Sequence, residues 1–135
     1  MSKGKSMSTN SRGRDIPDRI FIDGAGQRPD GTGSGFAWVR ASTGAKRVQR
    51  VDGLTNNQAE YRAMLAALDE IAQGSEIEIL TDSVLVAEQF HDRYKVRNPI
   101  LIKILSEVRA LIARKKLTVC VSWIPREENI AGKLL

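Results

Sequence analysis

A short run near the N-terminus, Arg19-Ile20-Phe21-Ile22-Asp23-Gly24, most limits what this chain can become. Three large apolar residues in succession mark a buried strand at the centre of a sheet. An acid where such a strand runs out costs free energy unless it is paired, solvated or bound to a cation. Two readings of Asp23 follow. It either starts a turn at Gly24 or belongs to a buried acidic site, and the other acids of the chain must decide.

The size of the chain suits such a sheet. At 135 residues it is long enough for one solid core, and with 41% hydrophobic and 27% charged residues it has the balance of a globular domain. No apolar run approaches the ~20 residues that a membrane span needs. The N-terminal lysines precede no apolar segment of the kind a secretory signal carries. Cys120 is the single cysteine, so no disulfide can form within the chain, and a reducing cytoplasmic compartment is expected. Its place in an apolar run makes it a small core residue on this reading. The formal net charge of +5 agrees with an anionic partner. Much of it sits at the start. Lys3, Lys5, Arg12, Arg14 and Arg19 against Asp15 and Asp18 leave +3 on residues 1–19 and only +2 on the remainder.

Residues 1–18 are polar, rich in Ser, Gly and Arg, and lack a hydrophobic period, which predicts a disordered basic arm. The folded domain is expected over residues 19–135. After the first strand, four glycines and Pro29 make a turn-rich connection between 24 and 33. Strands are predicted over 34–40 and 45–52, the latter with Lys46, Arg47 and Arg50 suiting an exposed sheet edge. Thr55-Asn56-Asn57 carries capping side chains for a helix whose apolar positions are Tyr61, Met64, Leu65, Leu68, Ile71 and Ala72. Residues 76–80 form a fourth strand, which a right-handed crossover places parallel to the first. A short helix follows over 83–90. A longer one begins at Asn98-Pro99, with a buried stripe of Leu101, Ile104, Leu105, Val108, Leu111 and Ile112, and ends at the basic run Arg114-Lys115-Lys116. Residues 117–124 read as a fifth strand, 125–129 as a charged loop, and 130–135 as the start of a last helix. The class is α/β: a mixed sheet whose first three strands are antiparallel, flanked by helices.

Three acids fall at telling places in this order. Asp23 ends the first strand, Asp82 ends the fourth, and Glu60 lies early in the first helix on the border of its apolar face. Two parallel strands ending side by side bring Asp23 and Asp82 close, and the helix above them can aim Glu60 at both. Clustered carboxylates repel one another and hold protons unless a cation neutralises them. Hard oxygen donors select Mg²⁺ or Mn²⁺. One Cys and one His cannot make a zinc site, and His91 is expected at the surface. No serine sits in a nucleophile-elbow pattern, and no glycine run reads as a nucleotide-binding loop.

Ile22-Asp23-Gly24-Ala25, Thr55-Asn56-Asn57-Gln58-Ala59-Glu60-Tyr61, Thr81-Asp82-Ser83 and Trp123-Ile124-Pro125-Arg126-Glu127-Glu128-Asn129 resemble, in order, the motifs of type 1 ribonuclease H. The resemblance spans residues 19–135. It implies a five-stranded ribonuclease H-like sheet, the fourth and fifth strands parallel to the first. It also implies cleavage of the RNA strand of RNA–DNA hybrids by a monomer using two Mg²⁺ ions, with Mn²⁺ a possible substitute. Asp23, Glu60 and Asp82 match three of the family's four acids, with Asp23 bridging the metals. Asn57 and Gln58 are expected near the minor groove of the hybrid, and Gly24, Ala25, Ser83 and Arg126 along the substrate.

The chain departs from that pattern at the fourth acid. Counted without a gap from Asn129, Lys133 stands where the resemblance calls for Asp. Asn129 is then either the fourth ligand, through its amide oxygen, or a helix cap after the charged loop. The loop before the last helix has Arg126, Glu127 and Glu128 where many relatives carry His. Three carboxylates should bind metal more weakly than four and favour Mn²⁺. Arg93, Lys95 and Arg97 offer further contacts to phosphate. An alternative within the same fold is a catalytically impaired module that binds hybrid or double-stranded RNA. Exonucleases of this fold carry a second acid two residues after the first, where this chain has Ala25.

Overall fold

The computed structural model describes residues 17–135. Among these residues five strands form one sheet, β1 (Asp18–Ala25), β2 (Gly35–Arg40), β3 (Lys46–Arg50), β4 (Glu76–Thr81) and β5 (Thr118–Trp123), in the order β3-β2-β1-β4-β5. The first three strands are antiparallel neighbours, and β4 runs parallel to both β1 and β5. This is the mixed sheet expected. The central place of β1 follows from its apolar run, because only an interior strand can bury Ile20 and Ile22 completely. The expected arm lies outside the described residues except at its end. There Asp18 already belongs to β1, where its buried carboxylate pairs with Arg40 at 2.6 Å.

Helices α1 (Asn56–Asp69), α2 (Val84–Phe90) and α3 (Pro99–Lys115) pack on the face of the sheet that carries Ile20, Ile22, Phe36, Trp38, Ile77 and Ile79. Thr55 and Gln58 close a reciprocal capping box at the start of α1, satisfying backbone donors at both positions. Tyr61, Met64, Leu68 and Ile71 are buried as the spacing predicts, but Ala59, Ala63 and Ala67 are buried as well. Their small side chains let α1 lie close to β1. Ala72 is exposed, because α1 stops at Asp69. The last turn of α3 does more than complement its own dipole. Lys115 Nζ donates to the carbonyls of Leu68, Asp69 and Ile71, capping the orphan acceptors at the end of α1.

The opposite face of the sheet carries a smaller cluster of Phe21, Ala37 and Val39, covered by Ala131, Leu134 and Leu135. The covering segment, Ile130–Leu134, is a 3-10 helix rather than the α-helix expected. Two further residues sit differently from the sequence reading. Cys120 is exposed, because β5 is an edge strand whose alternation turns Val121 inward and Cys120 out. His91 is half-buried, and its Nε2 lies 3.1 Å from both the N–H and the carbonyl of Val121, tying the end of α2 to that edge.

Gly24 shows how tightly α1 and β1 meet. A Cβ there would lie 2.5 Å from the carbonyl carbon of Ala59 and 2.5 Å from the nitrogen of Glu60. The glycine is required by the helix above it. Backbone atoms cannot swing aside, so Gly24→Ala should destabilise the fold by about 1–3 kcal/mol, the usual cost of overpacking. Urea unfolding measures this, and an unchanged midpoint would mean that α1 does not press on β1 at this point.

Candidate acidic site

Strand pairing between β1 and β4 stops short of the acids. The parallel ladder runs from Asp18–Ile77 to Phe21–Leu80 and then ends. Beyond it the two strands part, and polar side chains take over. On the helix side, Glu60 accepts from the Gly24 N–H at 2.7 Å and from the Thr81 hydroxyl at 3.0 Å, so one carboxylate touches both strands. Thr81 is fully buried on the core face, in phase with Ile77 and Ile79. On the other side, Asn129 is buried at 1% exposure and its amide nitrogen donates to the Ile22 carbonyl at 2.8 Å and to Asp82 Oδ2 at 3.0 Å.

Asp23, Glu60 and Asp82 each present a carboxylate oxygen, and the three oxygens lie within 4.8 Å of one another. Burial is the main reason that Glu60 holds its proton, with a pKa pushed up to about 9; the hydrogen bond to Asp23 and the charge of Asp23 add to the shift. Asp23 is also raised, first by burial and further by the Asp82 charge, although the hydrogen bond from Glu60 pulls it down. Of the two, Glu60 is the one whose carboxyl keeps its proton to about 9. A hard divalent cation fits this donor set, since all three donors are oxygens and a cation offsets the repulsion that the proton now relieves.

The acids open into a cleft of about 610 Å³ lined also by Gly24, Ala25, Gly26, Asn56, Asn57, Ser83, Arg126, Gly132 and Leu135. Of the substrate residues expected from the sequence, Gly24, Ala25, Asn57, Ser83 and Arg126 reach this wall. Gln58 does not, because its side chain is spent on the capping box. Asn56, expected among the capping residues of α1, lines the cleft and accepts from the Gly26 N–H at 2.7 Å. Ser83 caps α2 through Val86 N–H. The exposed Arg126 guanidinium stands 3.9 Å from Asp82 Oδ1, and the Trp123 indole N–H holds the Asp82 carbonyl at 3.1 Å. Arg93 is engaged by Glu88 at 2.6 Å.

Asn129 occupies a different place from the ligand position expected. Ile22 offers only a carbonyl and Ala131 only an N–H, so the amide must turn its nitrogen to the first and its oxygen to the second, at 3.2 Å. The oxygen thus caps the 3-10 helix, and the nitrogen faces Asp82. Lys133 is exposed and is not part of the cleft wall. Gly132 stands there instead, and a Cβ on it would lie 2.9 Å from Asp23 Oδ2. With three residues per turn, a 3-10 helix brings the third residue after Asn129 to the cleft. A count of four assumes an α-helix, and nothing in the local sequence announces the tighter turn.

Comparison with known proteins agrees with this geometry. The profile of the RNase H family matches residues 18–131. The bifunctional protein Rv2228c of Mycobacterium tuberculosis is 37% identical over 87 residues, which is 63% of this chain and 24% of that protein. An uncharacterised protein of Mycobacterium bovis, Mb2253c, matches to the same extent. The chain spans about a quarter of the length of these curated relatives. Among solved structures, the N-terminal RNase H domain of Rv2228c, a fusion with maltose-binding protein, superposes with a TM-score of 0.72 at 31% identity, over 87% of this chain and 90% of that one. RNase H1 from the archaeon Halobacterium salinarum gives 0.75 at 28%, over 88% and 94%. LC11-RNase H1, isolated from compost by a metagenomic approach and solved in complex with an RNA/DNA hybrid, gives 0.75 at 26%, over 87% and 92%. A profile match over most of the chain, on a sheet that gathers Asp23, Glu60 and Asp82, places this chain in the RNase H family.

Proposed function

We propose that the chain is a metal-dependent endonuclease that hydrolyses the RNA strand of RNA–DNA hybrids, leaving 5′-phosphate and 3′-hydroxyl ends. The observation that carries this reading is the meeting of three carboxylates in one open cleft of an RNase H fold. Asp23, Glu60 and Asp82 would hold two Mg²⁺ ions, or Mn²⁺ in their place. Bound there, such ions activate the attacking water and stabilise the leaving oxygen of a phosphodiester. The protein supplies the rest. Glu60 would be a ligand to them as a carboxylate, and its two strand contacts keep it aimed at the cleft.

Asn56, Asn57 and Ser83, which line the cleft, would contact a nucleic-acid backbone. Hybrid is told from DNA duplex by a wide minor groove and by the 2′-hydroxyl, which such short polar side chains can read. Arg126 provides a cation for a phosphate beside Asp82. Phosphate contacts of this kind make binding salt-dependent. All three acids come from one chain, so the reading needs no second copy. No helix among the described residues is long and apolar enough to cross a membrane.

Gly132 favours a second reading, in which the chain binds hybrid or double-stranded RNA without cutting it. It puts no donor atom at the corner of the cleft next to Asp23. The two readings separate in one assay. Asp82→Asn should lower Mg²⁺- or Mn²⁺-dependent cleavage of a labelled hybrid by at least about 100-fold, the scale of losing a group aimed at transition-state charge. Undiminished cleavage by that variant removes Asp82 from the site. Hybrid binding by the wild type with no cleavage at any Mn²⁺ concentration selects the second reading.

The raised Glu60 pKa gives a test that does not depend on activity. The folded, metal-free protein keeps a proton on Glu60 up to about 9, whereas the unfolded chain releases it near the ordinary 4.5. Between these values the folded state binds more protons, so stability falls as pH rises. Metal-free wild type should lose thermal stability relative to Glu60→Gln from about pH 5 to about pH 8, and Mn²⁺ should stabilise the wild type more at the higher pH. Parallel melting curves for the two proteins across that window would show that Glu60 is not a buried proton holder.

A further inference from the structure

We propose that Asn129 is a positioning residue that sets the Asp82 carboxylate for metal binding and supplies no ligand of its own; this rests on the reading of Asp82 as a metal ligand. The argument begins with the ladder. After Phe21 and Leu80 no paired residues hold β1 beside β4, yet Asp23 and Asp82 must present their oxygens to a common point. The carboxamide of Asn129 spans that opening. Its two N–H groups go one to each strand, to the Ile22 carbonyl and to Asp82 Oδ2, and its oxygen accepts from Ala131 N–H.

Every polar atom of the side chain is thereby used, and the residue is 1% exposed. The orientation is set by chemistry, because a carbonyl cannot donate to Ile22 and an amide nitrogen cannot accept from Ala131. Oδ2 of Asp82 is thus held by the amide, while Oδ1 stands 3.9 Å from the Arg126 guanidinium at the cleft wall. The Trp123 indole holds the backbone of the same residue from the other direction. An aspartate chain otherwise samples several rotamers, and a fixed one costs a cation less to engage. Outer hydrogen-bond partners of metal ligands act in this way, and their loss lowers metal affinity about 10–100-fold.

A double-mutant cycle read by Mn²⁺ titration calorimetry tests the proposal, using wild type, Asn129→Ala, Asp82→Asn and the pair. Asn129→Ala should weaken Mn²⁺ binding about 10–100-fold. The same change in the Asp82→Asn background should have almost no further effect, because a residue that acts through Asp82 has nothing left to act on. Equal losses in the two backgrounds would overturn the proposal, since they describe an independent ligand or a general loss of structure. Unchanged Mn²⁺ affinity in Asn129→Ala would overturn it as well. Should the alanine variant fail to fold, Asn129→Ser, which keeps a donor and less of the volume, runs through the same cycle and is judged by the same criterion. Full Mn²⁺ affinity in Asp82→Asn alone would instead bring down the metal-ligand reading on which the proposal stands. In cleavage assays Asn129→Ala should lower kcat at limiting Mn²⁺ and recover it at saturating Mn²⁺, with KM for hybrid unchanged.

Discussion

The parting of β1 from β4 is the constraint on which the rest of the site depends. A parallel pair that stayed zipped to its ends would leave no gap between its backbones. Here the ladder closes at Phe21 and Leu80, two residues before each acid. Backbone groups freed in a buried place must find partners or cost free energy. Glu60 receives the Gly24 N–H, and Asn129 satisfies the Ile22 carbonyl. The same two side chains then reach across to Thr81 and to Asp82. The gap that gathers the acids is thus also the gap that polar side chains must bridge.

Packing decides how near those side chains can come. Gly24 allows α1 to rest on β1, and the alanines at 59, 63 and 67 keep that approach close along the helix. Gly132 does the same on the other face, where the 3-10 helix crosses Asp23. Lys115 of α3 closes the far end of α1. Charge is then concentrated where solvent is scarce. Burial and the neighbouring charge raise both Glu60 and Asp23, and the closeness of the carboxylates favours a divalent cation once one is offered.

Much of this was legible in the residues. The apolar run of β1 announced a central strand, the period of 61, 64, 68 and 71 announced the helix above it, and Asp23, Glu60 and Asp82 stood at the ends of elements that a right-handed crossover brings together. Cys120 was misplaced because an apolar run on an edge strand looks like one in a core until the sheet order is known. Gln58 caps α1 and lies off the cleft wall, which the sequence does not show because a capping side chain and a binding side chain share one chemistry. Thr81 carried a signal that went unused: a hydroxyl in phase with two buried isoleucines must have a partner, and Glu60 is it.

The sequence by itself determined the order of elements, the sheet in which they join and the three acids, since each rests on periodicity or on the ends of strands and helices. Tertiary structure decided what surrounds those acids. Whether Asn129 turns its oxygen or its nitrogen toward Asp82 depends on Ile22 and Ala131, one of them more than a hundred positions away and the other within a tight turn. Whether Gly132 or Lys133 faces Asp23 depends on three residues per turn instead of 3.6, in a segment packed on Phe21, Ala37 and Val39. The first outcome rests on a contact between distant segments and the second on a turn geometry that no local pattern announces.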